Sequence, residues 1–145
     1  MGDKKTWYEY KQYYYMNIEK LNISNIETYL HSIMDGIVSD HTYAGTLPDT
    51  MQSDWNDMCL IDCSTKIYDF DAYGQGVVLI WLYARPRSNG TKNVATMSKL
   101  EENLNFVIKN ASNQDYVISR GTTYTDYDST RQWHCNIVEL NIMIV

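Results

Sequence analysis

The sequence predicts an α+β domain, a mainly antiparallel sheet with two helices packed on one face, in the order α-β-β-β-α-β-β. Three observations carry that reading. Apolar residues recur at helical spacing in two separate windows, residues 26–37 and 94–108. Between them runs G-V-V-L-I-W-L-Y-A-R-P, residues 76–86, a strand apolar on both sides. The chain then closes on two β-rich stretches joined by Thr125-Asp126-Tyr127-Asp128-Ser129, a turn-forming sequence.

The first helix is expected to begin at Ser24. Ser24-Asn25-Ile26-Glu27 reads as a capping box, the serine oxygen taking the N3 amide while Glu27 reaches back to the cap. Ile26, Leu30, Ile33, Met34 and Ile37 form the buried stripe, and Gly36 marks the end. Residues 39–56 carry turn chemistry and predict a long loop with a short extended piece at 42–47. Residues 58–68 predict a strand and 69–76 a loop.

In the strand at 77–85, Val77, Leu79, Trp81 and Tyr83 point one way and Val78, Ile80, Leu82 and Ala84 the other. One row belongs under the helices. The other needs a cover of its own, and a second subunit would supply it. Pro86 ends the strand and Asn89-Gly90 signals a turn. The second helix runs from about Asn93 to Asn110, with Val94, Met97, Leu100, Leu104, Val107 and Ile108 inward and Lys99, Glu101, Glu102 and Lys109 outward. Strands follow at 116–124 and 132–145. In the last one the apolar positions switch from odd (Trp133, Cys135, Ile137) to even (Val138, Leu140, Ile142, Ile144). A β-bulge near residue 138 explains the switch, or a strand whose two halves are covered by different elements.

At 145 residues the chain accommodates one core, assigned to residues 21–145, preceded by a Tyr-rich arm at 1–20. No apolar run approaches the roughly 18 residues of a transmembrane helix, and residues 1–16 lack the apolar stretch of a signal peptide, which predicts cytoplasmic synthesis. The net charge of −6 disfavours a nucleic-acid binder, because phosphate contacts need clustered Lys and Arg. Charge is also unevenly placed. Residues 21–57 hold Glu27, Asp35, Asp40, Asp49, Asp54 and Asp57 with no Lys or Arg, whereas Arg85, Arg87, Lys92, Lys99 and Lys109 make 76–111 basic. Unlike flanks on one molecule fit head-to-tail pairing that closes into a ring. There are 13 Tyr against 2 Phe, and Trp7, Tyr8, Tyr10, Tyr13, Tyr14 and Tyr15 crowd the arm. Tyrosine covers apolar surface while keeping a hydroxyl for water or a partner, which suits interfaces.

Candidate chemistry is sparse. Cys59, Cys63 and Cys135 with His134 suggest zinc, but cysteines four apart on a strand lie roughly 13 Å from each other, too far for one ion. Asp69 and Asp71, with Asp126 and Asp128, place two acids in each of two turns, and hairpins at one end of the sheet would bring four carboxylates to a Ca²⁺ or Mg²⁺. The stretch from Asp69 departs from a calcium loop where Tyr73 and Ile80 stand, and Asp itself initiates turns. His31, His41 and His134 fall on separate elements, and no nucleophile elbow, phosphate-binding glycine loop or H-E-x-x-H occurs. The reading is a non-enzyme without metal or cofactor.

This order of elements resembles the tail-terminator, tail-completion and neck ring proteins of tailed bacteriophages. The stretches that carry the resemblance are residues 26–37, 68–76 with the strand after them, 89–94, 124–128 and 133–136. It implies a structural virion protein of the head-tail neck or tail end, a homo-oligomeric ring (hexamer or dodecamer) contacting neighbouring neck and tail proteins, with DNA passing through the lumen without specific binding and no membrane. Bottom-up features fit that role, and they nominate an interface of Trp7, Tyr8, Tyr10, Tyr13, Tyr14, Trp81, Tyr83, Arg85, Arg87, Leu140, Ile142 and Ile144. Two alternatives use the same features otherwise: a small-ligand-binding α+β domain with the second sheet face as its pocket, and a divalent-metal enzyme built on the paired Asp turns.

Overall fold

The computed structural model describes residues 22–63, 67–70 and 73–144. Helix α1 spans Ile23–Met34. Its cap is Asn22 rather than Ser24: the Asn22 Oδ1 accepts from the Asn25 amide at 3.2 Å, satisfying a first-turn donor that has no partner within the helix. The helix stops where Gly36 enters the left-handed region at φ +75° and the amides of Ile37 and Val38 both return to the Met34 carbonyl. That tight ending turns Ile37 to solvent, 47% exposed, and gives its expected core position to Val38, 2% exposed.

Six strands follow α1 as one sheet: β1 Thr42–Ala44, β2 Asp57–Asp62, β3 Ile67–Phe70, β4 Tyr73–Ala84, β5 Tyr116–Asp128 and β6 Trp133–Ile144, with helix α2, Val94–Lys109, between β4 and β5. The order is β1-β2-β4-β6-β5, β3 pairing with the start of β4, and only the β1–β2 pair is parallel. The predicted class and element order hold. Two details differ. The strand expected at 58–68 ends at Asp62, and the expected loop at 69–76 is largely strand, because β4 begins at Tyr73 and Gly74 and Gly76 pair on both edges, with β3 and β6. Glycine is a poor strand former; here the flanking ladders override it.

The core lies between the sheet and both helices. Val78, Ile80, Leu82 and Ala84 of β4 and Val138, Leu140, Ile142 and Ile144 of β6 meet Ile26, Leu30 and Met34 of α1 and Met97, Leu100, Leu104 and Val107 of α2. Each fully buried aliphatic side chain in this layer contributes about 1.5–3 kcal/mol. Val94, expected inward, sits at the first position of α2 and is exposed.

Pairing of β6 with β4 runs unbroken from His134 to Ile144, so β6 has no bulge. Its apolar switch arises because different elements cover its two halves. The register shift of this sheet lies instead in β5, between Arg120 and Thr123.

Candidate assembly surface

Among the described residues, the second face of the sheet is covered at one end. Near the Ala84 end of β4, the loop of residues 45–56 folds over it, and Trp55 seals a cluster of Met58, Tyr83, Trp133, Cys135 and Ile137, with Leu47, Met51, Leu60, Leu79 and Trp81 partly buried around them. Arg85 holds that loop down. Its Nε donates to the Trp55 carbonyl at 2.6 Å and a terminal nitrogen to the Gln52 carbonyl at 3.1 Å, while the guanidinium lies 4.8 Å over the Trp133 ring. His41 stacks on Trp55, their ring centroids 4.2 Å apart.

Among the described residues the cover stops toward the Gly76 end. Gln75, Val117, Ser119, Asn141 and Met143 surround an open depression of about 320 Å³, with Val117 45% and Met143 42% exposed. Beside it β5 is the outer strand of the sheet, thirteen residues long, most of them exposed beyond Gly121, including Tyr124 and Tyr127. A long outer strand presents backbone donors and acceptors on which another chain can pair.

Helix α1 packs over β1 and β2, and α2 over β4 and β5. The exposed acids Asp35 and Asp40 follow α1, and Asp49 and Asp54 lie in the loop over the second face. The exposed bases Lys99 and Lys109 stand on α2, on the other face, and the exposed acids Glu102, Asp115 and Asp126 belong to α2, the turn before β5 and β5 itself. Two of the predicted basic residues are turned inward instead. Arg85 serves the latch. Lys92 donates to Asn136 Oδ1 at 3.0 Å, and Asn136 donates to Glu101 at 3.3 Å, which lies 3.6 Å from Arg120. Arg120 in turn donates to Asn105 and, at 2.8 Å, to Thr123 Oγ1, so a polar chain pins α2 to the β5 irregularity. Nothing in the spacing of these residues singled them out, since they come from four separate elements.

The nominated interface divides accordingly. Trp7, Tyr8, Tyr10, Tyr13 and Tyr14 lie outside the described residues. Trp81 is partly buried and stacks on Tyr83 at 6.3 Å, and Arg87 is exposed at the Asn89-Gly90 turn. Leu140, Ile142 and Ile144 are corrected by the fold: each is at most 3% exposed beneath the helices, because even positions of β6 face the core throughout. Tyr83 and Arg85 are likewise committed to the latch, where burial, followed by Cys135 and Asp128, pushes the Tyr83 phenol well above its ordinary pKa.

Among the described residues neither metal arrangement assembles. Asp69 pairs with Gly74, and Gly74 with Ile144, whereas Asp126 and Asp128 pair with Cys135 and Trp133, level with Tyr83. The two turns thus sit at opposite ends of β4, roughly 30 Å apart at strand rise; the expectation that they share an end is overturned. Asp71 lies outside the described residues. Asp128 instead organises its own turn, its Oδ1 accepting the Thr130 and Arg131 amides at 3.1 Å and its Oδ2 pairing with the Arg131 guanidinium at 3.2 Å. Cys59 and Cys63 lie in the helix-side core and Cys135 on the opposite face. Burial pushes the thiols up to about 12, 12 and 11 respectively, which holds them protonated and unreactive at neutral pH.

No family profile matches this chain, and no curated protein matches it. Among the described residues no helix is long and apolar enough to cross a membrane.

Proposed function

We propose that the chain is a structural subunit that assembles head-to-tail into a homo-oligomeric ring, of the kind found at the neck or tail end of tailed bacteriophages. In that setting its partners are further copies of itself and adjoining neck or tail proteins, and DNA passes through the lumen without being gripped. The observation that carries the reading is a second sheet face that the described residues cover only in part, beside a long exposed outer strand. A head-to-tail contact sets the acidic loop at Asp49 and Asp54 of one copy against Lys99 and Lys109 of the next, and repeated rotation closes the series. An acidic whole, with a net charge of −6, leaves a lumen that repels phosphate.

Native mass spectrometry of the full chain at tens of micromolar tests this. The expected spectrum contains a single closed oligomer, six or twelve copies, with its ring shape visible in negative-stain images. A strictly monomeric spectrum across concentration and ionic strength overturns the reading.

A further inference from the structure

We propose that Phe106 is the apolar anchor of the head-to-tail contact, and that it seats on residues 47–51 in the loop of a second copy. The inference rests on the ring reading and names the residue at the centre of its contact. On α2, Lys99, Glu102, Phe106 and Lys109 follow one another at intervals of three, four and three, so they share one row of the helix. All four are exposed, because Met97, Leu100, Leu104 and Val107 turn the other side of the helix into the core. At 64% exposed, Phe106 is the barest large apolar side chain among the described residues. It adds nothing to the core of its own chain, and its ring is free to be buried by another.

Charge and reach identify the occupant. The loop of residues 45–56 carries the exposed acids Asp49 and Asp54 and no Lys or Arg. Lys99 and Lys109 stand on either side of Phe106, about 15 Å apart at the rise of an α-helix. Asp54 follows Asp49 by five residues, a stretch that reaches up to about 17 Å. Both lysines can therefore face an aspartate of one loop at the same time, and Glu102 is the only acid in the row between them. Between the two aspartates Met51 is only partly buried, as are Leu47 and Pro48 just before them. Met51 offers a polarisable thioether, which packs well against an aromatic ring. The loop of the same copy is out of reach, because it lies over the second face of the sheet and α2 over the other. The contact thus joins two unlike surfaces of two copies, the heterologous kind that propagates around a ring.

The test places the photoreactive analogue p-benzoylphenylalanine at position 106 of the full chain and mixes isotopically light and heavy copies. Cross-links from position 106 of one copy into residues 45–56 of another are expected. Cross-links within one copy, cross-links to any other surface, or none, while native mass spectrometry of the natural chain shows the closed oligomer, overturn the anchor and leave the ring standing. A strictly monomeric natural chain overturns both. A second measurement compares Phe106→Ser with the natural chain by sedimentation velocity. Loss of an interface anchor weakens association about 30-fold or more. The monomer of the variant should unfold at the same urea concentration as the natural monomer, because the side chain it lacks is exposed in the fold. Self-association of Phe106→Ser equal to that of the natural chain overturns the anchor.

Discussion

Arg85 is the residue on which the covered half of the second face depends. Its guanidinium satisfies two loop carbonyls at once and lies on Trp133, a planar forked geometry that an ammonium cannot reproduce. Arg85→Ala is expected to destabilise the fold by about 2–3 kcal/mol, the range for charge-assisted hydrogen bonds with one lost cation–π contact. Denaturant unfolding gives that number, and a red-shifted tryptophan emission would show water reaching Trp55. Arg85→Lys should recover only part of the loss; full recovery would refute the forked latch. The buried thiols set a second dependence. An unfolded thiol ionises near 9, whereas Cys59 in the fold holds its proton up to about 12, chiefly through desolvation and secondarily through Asp57. The folded state then binds more protons than the unfolded state above pH 9, so stability falls with rising pH. The contribution is intact below pH 9 and declines between 9 and about 12, by about 1.4 kcal/mol per unit through Cys59 alone. Cys63, Cys135 and Tyr83 shift in the same direction and add to the slope. Thermal melts from pH 8 to 11 measure it, and Cys59→Ala should flatten the curve even though the cavity lowers stability at pH 7.

At the level of elements, the helices and strands were legible where a single period governed a stretch. The α2 stripe and the double apolarity of β4 are of that kind, and so is the exit from α1 at Gly36. Ends were less legible, because two good caps two residues apart compete and only the tertiary path of the chain selects one. Asn22→Ala should cost about 1 kcal/mol while Ser24→Ala costs a few tenths, as an unused cap does; equal losses in urea unfolding would restore the serine cap. The reach of β4 into Tyr73–Gly76 was hidden for a different reason. Glycine gives no packing signal, and the pairing that orders it comes from β6, some seventy residues later. The candidate surface was partly legible too. The need to cover a second face followed from alternation in β4, but the loop that covers half of it has turn chemistry and no period, with Leu47, Met51 and Trp55 spaced too irregularly to declare a lid. The same limit explains why Leu140, Ile142 and Ile144 read as interface candidates in the sequence: a switch of apolar phase looks identical whether it bulges the strand or changes the element above it.

At the scale of the whole molecule, a ring-forming contact joins two different surfaces of unlike charge, whereas in a twofold contact between one surface and its own copy acid would face acid. Asp49 and Asp54 are exposed on the loop over the second face and Lys99 and Lys109 on α2 over the other, and none belongs to the core or the Arg85 latch. Reversing one patch should therefore leave the fold intact and abolish self-association. Lys99→Glu with Lys109→Glu is expected to sediment as monomer, and Asp49→Lys with Asp54→Lys likewise. Each double variant still carries one native patch and one reversed patch of the same sign. A chain carrying all four changes has its polarity inverted and should regain oligomers, because the two patches are again unlike. The wild-type oligomer should also dissociate progressively with salt, as exposed charges are screened over roughly 8 Å at physiological ionic strength and roughly 3 Å at 1 M. Sedimentation velocity at matched concentrations reads all of these. Self-association in either double variant equal to that of the natural chain would show that the Asp49–Asp54 loop and the α2 lysines do not meet, and with that the proposed head-to-tail contact would be lost.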